Sequence, residues 1–197
     1  MDAFESLVAA ILRAEGYWVE SNVRVKLSPE DKRTLENYSM PNPEVDIVAY
    51  RPATDSLLVI ECKSYFDSGG VHVRDLKDGT NAQRYKMFVN ARLRDMVFDR
   101  LGQQLAGAGL VTGTPKPRLG LAYGHASAHN QTQLEQHFRE QGWLLLGPEQ
   151  IRERVLAMAS EPYDNQVASV VAKLFRPVMP AASTELSPIF SPTQEAA

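Results

Sequence analysis

The chain has 197 residues and a formal net charge of −3, with ordinary shares of hydrophobic (44%) and charged (23%) residues, so it suits one soluble globular domain. No apolar run approaches the roughly 20 residues of a membrane span, and the start lacks the basic-then-apolar order of a secretion signal. A single cysteine, Cys62, excludes an internal disulfide. We therefore expect a cytoplasmic protein with no membrane partner.

The acidic balance argues mildly against a protein that packages nucleic acid. It does not argue against an enzyme that acts on nucleic acid, because backbone binding needs only a local basic strip.

The first predicted element is an amphipathic helix over residues 2–15, in which apolar residues recur with a 3.6-residue period. Asp2 is placed to cap this helix, with Glu5 three residues later as in a capping box, and Gly16 stands at its end. Alternating apolar and polar residues over 17–27 then predict a half-buried strand.

A β-hairpin is the next prediction, after a short helix that begins behind Ser28. Two strand-like runs, residues 44–50 and 56–63, flank a turn of residues 51–55 that is rich in turn-forming residues. Both runs are apolar enough to be inner strands of a sheet.

The second half alternates helices and short strands. A long helix with one buried stripe is predicted over residues 81–108. Buried strands at 119–123 and 143–146 flank a polar helix at 131–141. That spacing implies a right-handed crossover and a parallel pair of strands.

Two further helices, over residues 148–159 and 164–175, complete the predicted domain of residues 1–176. In the last helix four apolar residues are expected to face inward: Val167, Val170, Val171 and Leu174. Residues 177–197 are rich in Pro, Ser, Thr and Ala, and we expect a disordered tail. The predicted fold class is α/β, a mixed sheet flanked by helices in the order αβββαβαβ, with C-terminal helices.

The acidic residues of the hairpin form the most informative pattern. A turn centred on residues 53 and 54 places Asp46 opposite Glu61, and Glu44 opposite Lys63. Like charges directly opposed in a half-buried position are destabilising, and a hard divalent cation that prefers oxygen ligands would relieve them. A shift of one residue in the turn would put the two acids on opposite faces.

This pattern resembles a known active-site motif. Asp46, followed after fourteen residues by Glu61, Cys62 and Lys63 at the end of an apolar strand, is similar to the motif of the PD-(D/E)XK nuclease superfamily. The resemblance implies a restriction-endonuclease-like fold over roughly residues 2–147. Residues 4–17 also resemble the first helix and turn of Mrr-type restriction endonucleases and of Holliday-junction-resolvase-like nucleases. The chain departs from the motif where Val45, not proline, precedes the aspartate.

By that resemblance, Asp46 and Glu61 would bind Mg²⁺ or Mn²⁺ together with the backbone carbonyl of Cys62. Lys63 would position or deprotonate the attacking water and would screen charge on the phosphate. Glu5 would be an auxiliary acid that reaches the metal or its waters from the first helix.

The resemblance also implies a DNA-contacting segment just after the site, formed by Gln83, Arg84 and Lys86. A wider basic strip would add Arg92, Arg94 and Arg100, unless these arginines pair with neighbouring acids on a solvated helix face. Residues 65–70 are expected to form a substrate-facing loop.

Each functional residue has a structural alternative. The alternative for the hairpin charges is a cross-strand salt-bridge cluster in which Lys63 neutralises Glu44 or Glu61, and the alternative for Glu5 is a capping residue only. Cys62 is expected to be a buried filler on the opposite face. The histidines show no metal-ligand spacing, and nothing singles one out for binding phosphate: His72, His125, His129 and His137.

The leading hypothesis is a Mg²⁺-dependent nuclease that hydrolyses phosphodiester bonds of DNA, an endonuclease of restriction, defence or repair. It would act as a homodimer or with a partner subunit that supplies target recognition. The alternative is a catalytically inactive nuclease-fold protein that serves as a nucleic-acid-binding or assembly subunit. A third interpretation is an α/β interaction protein with a chance motif.

Overall fold

The computed structural model describes residues 2–113, 115–162 and 164–176, so the predicted tail lies outside the described residues. The described chain is an α/β protein built on one mixed five-stranded sheet. Its strands are Trp18–Arg24 (β1), Glu44–Arg51 (β2), Ser56–Lys63 (β3), Pro117–Tyr123 (β4) and Leu144–Leu146 (β5).

Seven α-helices of the described residues pack around this sheet. They are Ala3–Ala14 (α1), Pro29–Thr34 (α2), Lys86–Val89 (α3), Ala91–Gly107 (α4), Ala128–Gln141 (α5), Pro148–Ala157 (α6) and Val167–Leu174 (α7). None of the helices in the described part of the chain is long and apolar enough to cross a membrane.

The strands lie in the spatial order β1-β2-β3-β4-β5. The first three are antiparallel, while β4 runs parallel to both β3 and β5. The predicted hairpin and the predicted parallel pair are therefore confirmed. Because β2, β3 and β4 are inner strands covered on both faces, their sequences are almost continuously apolar.

The core has two halves, one on each face of the sheet. On one face α1 packs Val8 and Ile11 against Ile47 and Ile60 of the hairpin. On the other face α4 and α5 cover the opposite side chains of the same strands, including Val59, as expected from the two-residue period of a strand.

The first helix is capped as predicted. Asp2 accepts a hydrogen bond from the Glu5 amide (2.8 Å), and Glu5 accepts one from the Asp2 amide (3.2 Å), which completes a capping box. Gly16 follows the helix with φ of 84°, a conformation that favours glycine.

The predicted long helix over residues 81–108 is wrong in its first third. A 3₁₀ turn at Ala82–Tyr85 leads into the short α3, and the helical conformation is interrupted at Asn90 before α4 begins. Asn90 has extended backbone angles, and its side chain accepts a hydrogen bond from the Leu93 amide. The apolar period runs through this break, but a capping asparagine starts a new helix there.

The predicted inward face of the last helix is also wrong. Val167 is 78% exposed and Leu174 is 76% exposed, whereas Ser169 and Ala172 are buried. Lys173 donates hydrogen bonds to two main-chain carbonyls just beyond α6. The small residues of α7 therefore face the protein interior, and Lys173 ties that helix to the segment after α6.

Candidate active site

The register of the hairpin agrees with the prediction, from Ile47 opposite Ile60 to Arg51 opposite Ser56. A 3₁₀ turn at Pro52–Thr54 connects the strands. The ladder ends one residue short of the two acids, so the predicted cross-strand pair of Asp46 with Glu61 is not formed.

The sheet is interrupted on both sides of Asp46. Between β1 and β2 the pairing skips from Ser21–Ile47 to Val23–Val45, and the skipped residue of β1, Asn22, has a φ of 54°. Strand β3 continues past this point because β4 holds it as far as Lys63.

The Asp46 side chain fills the gap that the interruption leaves. Its Oδ2 accepts a hydrogen bond from the Cys62 amide at 2.7 Å, so a carboxylate takes the place of the next ladder bond. Asp46 is thereby fixed against the segment that carries Glu61 and Lys63. The local break in the sheet therefore positions the predicted site.

Lys63 pairs with Glu61 and not with Glu44. The Lys63 Nζ lies 2.5 Å from Glu61 Oε1, and both side chains are about four-fifths buried, with 18% and 21% exposure. Glu44 pairs with Arg24 of β1 at 3.1 Å. Of the two predicted partners of Lys63, the structure therefore selects the acid two residues away on the same face of β3.

Crowding of charge dominates the electrostatics of this cluster. Burial and then the neighbouring charge of Glu61 raise the pKa of Asp46 to about 6, against the opposing effects of the Cys62 amide and Lys63. Burial lowers the pKa of Lys63. The charge and hydrogen bond of Glu61 and the charge of Asp46 raise this pKa by more than burial lowers it, so the net shift is upward. Lys63 is therefore a cation in this arrangement.

Cys62 lies on the opposite face, as predicted, in the core half covered by α1. Burial and then the charges of Asp46 and Glu5 raise the pKa of its thiol. The thiol is an unreactive filler. Glu5 caps α1, and its role as an auxiliary acid stays a prediction.

A cleft of about 650 Å³ opens from Glu61. All three residues predicted to contact DNA line it: Gln83, Arg84 and Lys86. The break at Asn90 makes this possible, because the segment before it folds over the site instead of extending α4. The opposite wall is the loop of residues 37–43, which the sequence marks only as irregular.

The wider basic strip is not formed. Arg92 donates to the carbonyl of Thr34, Arg94 to the carbonyl of Met87, and Arg100 to a buried carboxylate of α2. None of the three arginines lines the cleft. The protein itself holds these arginines, through two main-chain carbonyls and a buried acid of α2, and the basic lining of the cleft is limited to Arg84 and Lys86.

Few side chains at this site could act as metal ligands. Among the described residues, no three His, Cys, Asp or Glu side chains lie together in a group that could hold a metal ion. A metal at this site would therefore rest on two carboxylates, main-chain oxygen and water. These are the hard oxygen donors that suit Mg²⁺, which keeps several waters when it binds to proteins.

No known protein-family profile and no curated protein sequence matches this chain. A solved structure, that of protein VC1899 from Vibrio cholerae, is similar at 18% sequence identity with a TM-score of 0.41. The similarity covers 77% of this chain and 30% of that protein, so the chain spans less than a third of its length. A likeness at this level carries no functional argument, and the function must be argued from the residues of the site.

Proposed function

We propose that the chain is a Mg²⁺-dependent nuclease of the PD-(D/E)XK type that hydrolyses phosphodiester bonds of DNA. We place its reacting centre at Asp46, Glu61 and Lys63. The observation that carries the proposal is the meeting of these three side chains where β2 leaves β3, with Glu61 in the lining of a cleft that has a basic wall. An endonuclease of restriction, defence or repair fits this arrangement, either as a homodimer or with a partner that supplies target recognition.

The crowded carboxylates support a cation site. Asp46 is half-buried. Burial, and after it the nearby charge of Glu61, raises the pKa of Asp46 to about 6. A divalent cation between the two acids would relieve this repulsion. Asp46 and Glu61 would hold the ion, with the Cys62 carbonyl as the main-chain ligand. Bound Mg²⁺ would supply Lewis-acid polarisation of the phosphoryl oxygen and a more acidic water.

Lys63 has the charge and place to act on the phosphate. Its raised pKa favours a positioning and screening role over proton abstraction, because a cationic amine has no free lone pair. The ammonium would hold the attacking water and offset negative charge on the phosphate as the transition state forms.

The cleft gives the substrate backbone a path to this centre. Arg84 and Lys86 offer positive charge, and Gln83 offers an amide that can donate to a phosphate oxygen. These contacts would position the backbone without reading sequence.

A second candidate is a nuclease-fold protein that binds nucleic acid without cutting it. The ion pair of Lys63 with Glu61 and the bond of Cys62 to Asp46 favour it, because the three charged groups already have partners within the protein. In that case the cluster would be a structural one.

The two candidate functions predict different results in a DNA cleavage assay. Supercoiled plasmid, linear duplex, single strands and a four-way junction should each be incubated with the protein in Mg²⁺ or Mn²⁺. We expect nicking or cutting of at least one substrate by the wild type, none by Asp46→Ala, and full activity for Glu20→Ala, which removes an exposed carboxylate of β1. Failure to cut any of the four substrates, with binding retained, would favour the inactive alternative.

A further inference from the structure

A second cavity, of about 260 Å³, is lined by Arg84, as the cleft is, and by Tyr65, two residues after Lys63. Arg84 is the residue that the two spaces share. We call the smaller cavity the tyrosine pocket and define it by six of its lining residues: Tyr65, His72, Asp75, Asn81, Arg84 and Tyr85. Apart from Arg84, none of these residues takes part in the metal site or the backbone path described above.

Hydrogen-bond donors face this pocket. The Asn130 side chain accepts from the Val73 amide through Oδ1 (3.4 Å), so its Nδ2 is the atom that donates to His72 Nδ1 (3.0 Å). In a neutral imidazole the remaining hydrogen is then on Nε2. That nitrogen lies on the Gly69 side, where both residues line the pocket. His72 therefore presents an N–H donor, and Arg84 presents its guanidinium.

An acceptor lies in the same pocket. Asp75 is only 3% exposed, and Asn81 donates to both of its oxygens, at 3.3 Å from the main chain and 3.1 Å from the side chain. Each carboxylate oxygen can accept more than one hydrogen bond. A ligand with an N–H edge would therefore find a fixed, desolvated acceptor.

Aromatic walls complete the pocket. Tyr85 is almost fully buried, and Tyr65 stands half-buried at φ of 47°, two residues after Lys63. Burial and then the adjacent Tyr65 raise the pKa of Tyr85, so this phenol stays protonated. The volume is below the roughly 300–1,000 Å³ of pockets for drug-sized ligands, which suits one ring system.

We propose that the tyrosine pocket receives one unstacked nucleobase of the strand whose backbone occupies the cleft, an inference that rests on the proposed nuclease function. A phosphate would be repelled by Asp75. A nucleobase is uncharged and planar, and it carries donors and acceptors on one edge to match Asp75 and His72. The preferred substrate is then a single strand, or a duplex site where a base is unpaired or flipped out.

Binding of modified single strands tests this directly. Labelled oligonucleotides that carry one abasic site, moved one position at a time, should be titrated with the full-length protein by fluorescence anisotropy. Ca²⁺ replaces Mg²⁺ so that the strands remain uncut. We expect one position at which loss of the base weakens binding about tenfold, equivalent to about 1.4 kcal/mol.

Two pocket variants locate the effect. His72→Ala and Asp75→Asn should each remove the sensitivity to the abasic position, whereas His129→Ala, an exposed histidine of α5, should retain it. A thermal melt of each variant beside the wild type checks that loss of the sensitivity does not come from unfolding.

Results that contradict the pocket can be distinguished from results that contradict the nuclease proposal. An abasic scan with no sensitive position, or a sensitive position unchanged in both variants, would overturn the pocket while the nuclease proposal stands. Sensitivity to a single methylphosphonate that His72→Ala removes, with no effect of abasic sites, would show that the pocket holds a phosphate and would also overturn it. A protein that binds and cuts no strand or duplex would defeat the proposed function as well.

Discussion

The carboxylate of Asp46 has two interactions that substitution can separate. It accepts the Cys62 amide, and it crowds Glu61. Asp46→Ala leaves a part-buried amide without its acceptor, so we expect a loss of about 1–2 kcal/mol in unfolding free energy. Asp46→Asn keeps an acceptor oxygen and removes the charge, so we expect a melting temperature equal to or above that of the wild type. Thermal melts without metal give both values.

Neither Asp46 variant should bind Mn²⁺ in a calorimetric titration, because both lack the anionic oxygen that the ion requires. Glu20→Gln is the matched control and should bind like the wild type. If Asp46→Asn is strongly destabilised, the hairpin charges are a structural cluster and not a metal site.

Substitutions of Lys63 distinguish a catalytic role of this residue from a structural one. We expect Lys63→Met and Lys63→Arg to bind DNA in Ca²⁺ and to cut it at least about 100-fold more slowly in Mg²⁺, since the lost contact matters mainly in the transition state. Arginine is a poor substitute because its planar guanidinium cannot occupy the place of a compact ammonium. Lys26→Met, at an exposed lysine, should cut normally in the same single-turnover assay. Cleavage at the wild-type rate by Lys63→Arg would falsify the role we give this residue.

Among the elements, α2 is held to α4 by one buried ion pair. Arg100 donates to both oxygens of Asp31, at 2.9 and 2.7 Å, and the Asp31 side chain is 3% exposed. The hydrogen bond from Arg100 lowers the pKa of Asp31 from 3.8 to about 2, although burial opposes it. Because the folded pKa is depressed, the stabilisation is fully present above the unfolded value and is lost as pH falls.

Melting temperature should therefore drop between about pH 4 and pH 2 through this pair. Arg100→Met should be less stable at pH 7 and should lose this part of the acid dependence. Arg92→Met, which removes an exposed arginine from the same helix, should keep it. An unchanged acid profile in Arg100→Met would show that other carboxylates control acid unfolding.

The orientation of α7 makes a second prediction at this scale. Val167 and Leu174 are exposed, so Val167→Glu and Leu174→Glu should change unfolding free energy by no more than about 0.5 kcal/mol. Ala172 is fully buried, so Ala172→Glu should destabilise by several kcal/mol, on the order of the cost of an unpaired buried charge. Denaturant titration measures all three. A large loss for the valine and leucine variants would mean that this face is covered in solution.

At the scale of the whole molecule, the charge distribution limits how DNA is held. The net charge is −3, and the cleft carries only Arg84 and Lys86 as cations. Each phosphate contact contributes about −0.9 to the slope of log affinity against log salt on duplex DNA. We expect a slope near −2, reduced in magnitude by about 1 in Arg84→Ala and unchanged in Arg152→Ala, at an exposed arginine of α6. A much steeper slope would reveal basic surface supplied by a second subunit.

The sequence by itself determined what depends on near neighbours. Helix caps at Asp2 and Ser28, the hairpin register and the burial of Cys62 all follow from local hydrogen bonds and from the periods of helix and strand. The hairpin register also brings Asp46 near Glu61, which is why the central part of the candidate site could be predicted, although Asp46 is held there by the Cys62 amide and not by a ladder pair with Glu61.

Tertiary contacts decided the rest. The break of the sheet at Asp46 and the orientation of α7 depend on how distant elements pack. The tyrosine pocket likewise joins His72, held by Asn130 of α5, to residues before α3. No periodic pattern records such contacts, because each depends on packing and hydrogen bonds between segments far apart in the chain, and these override local preference.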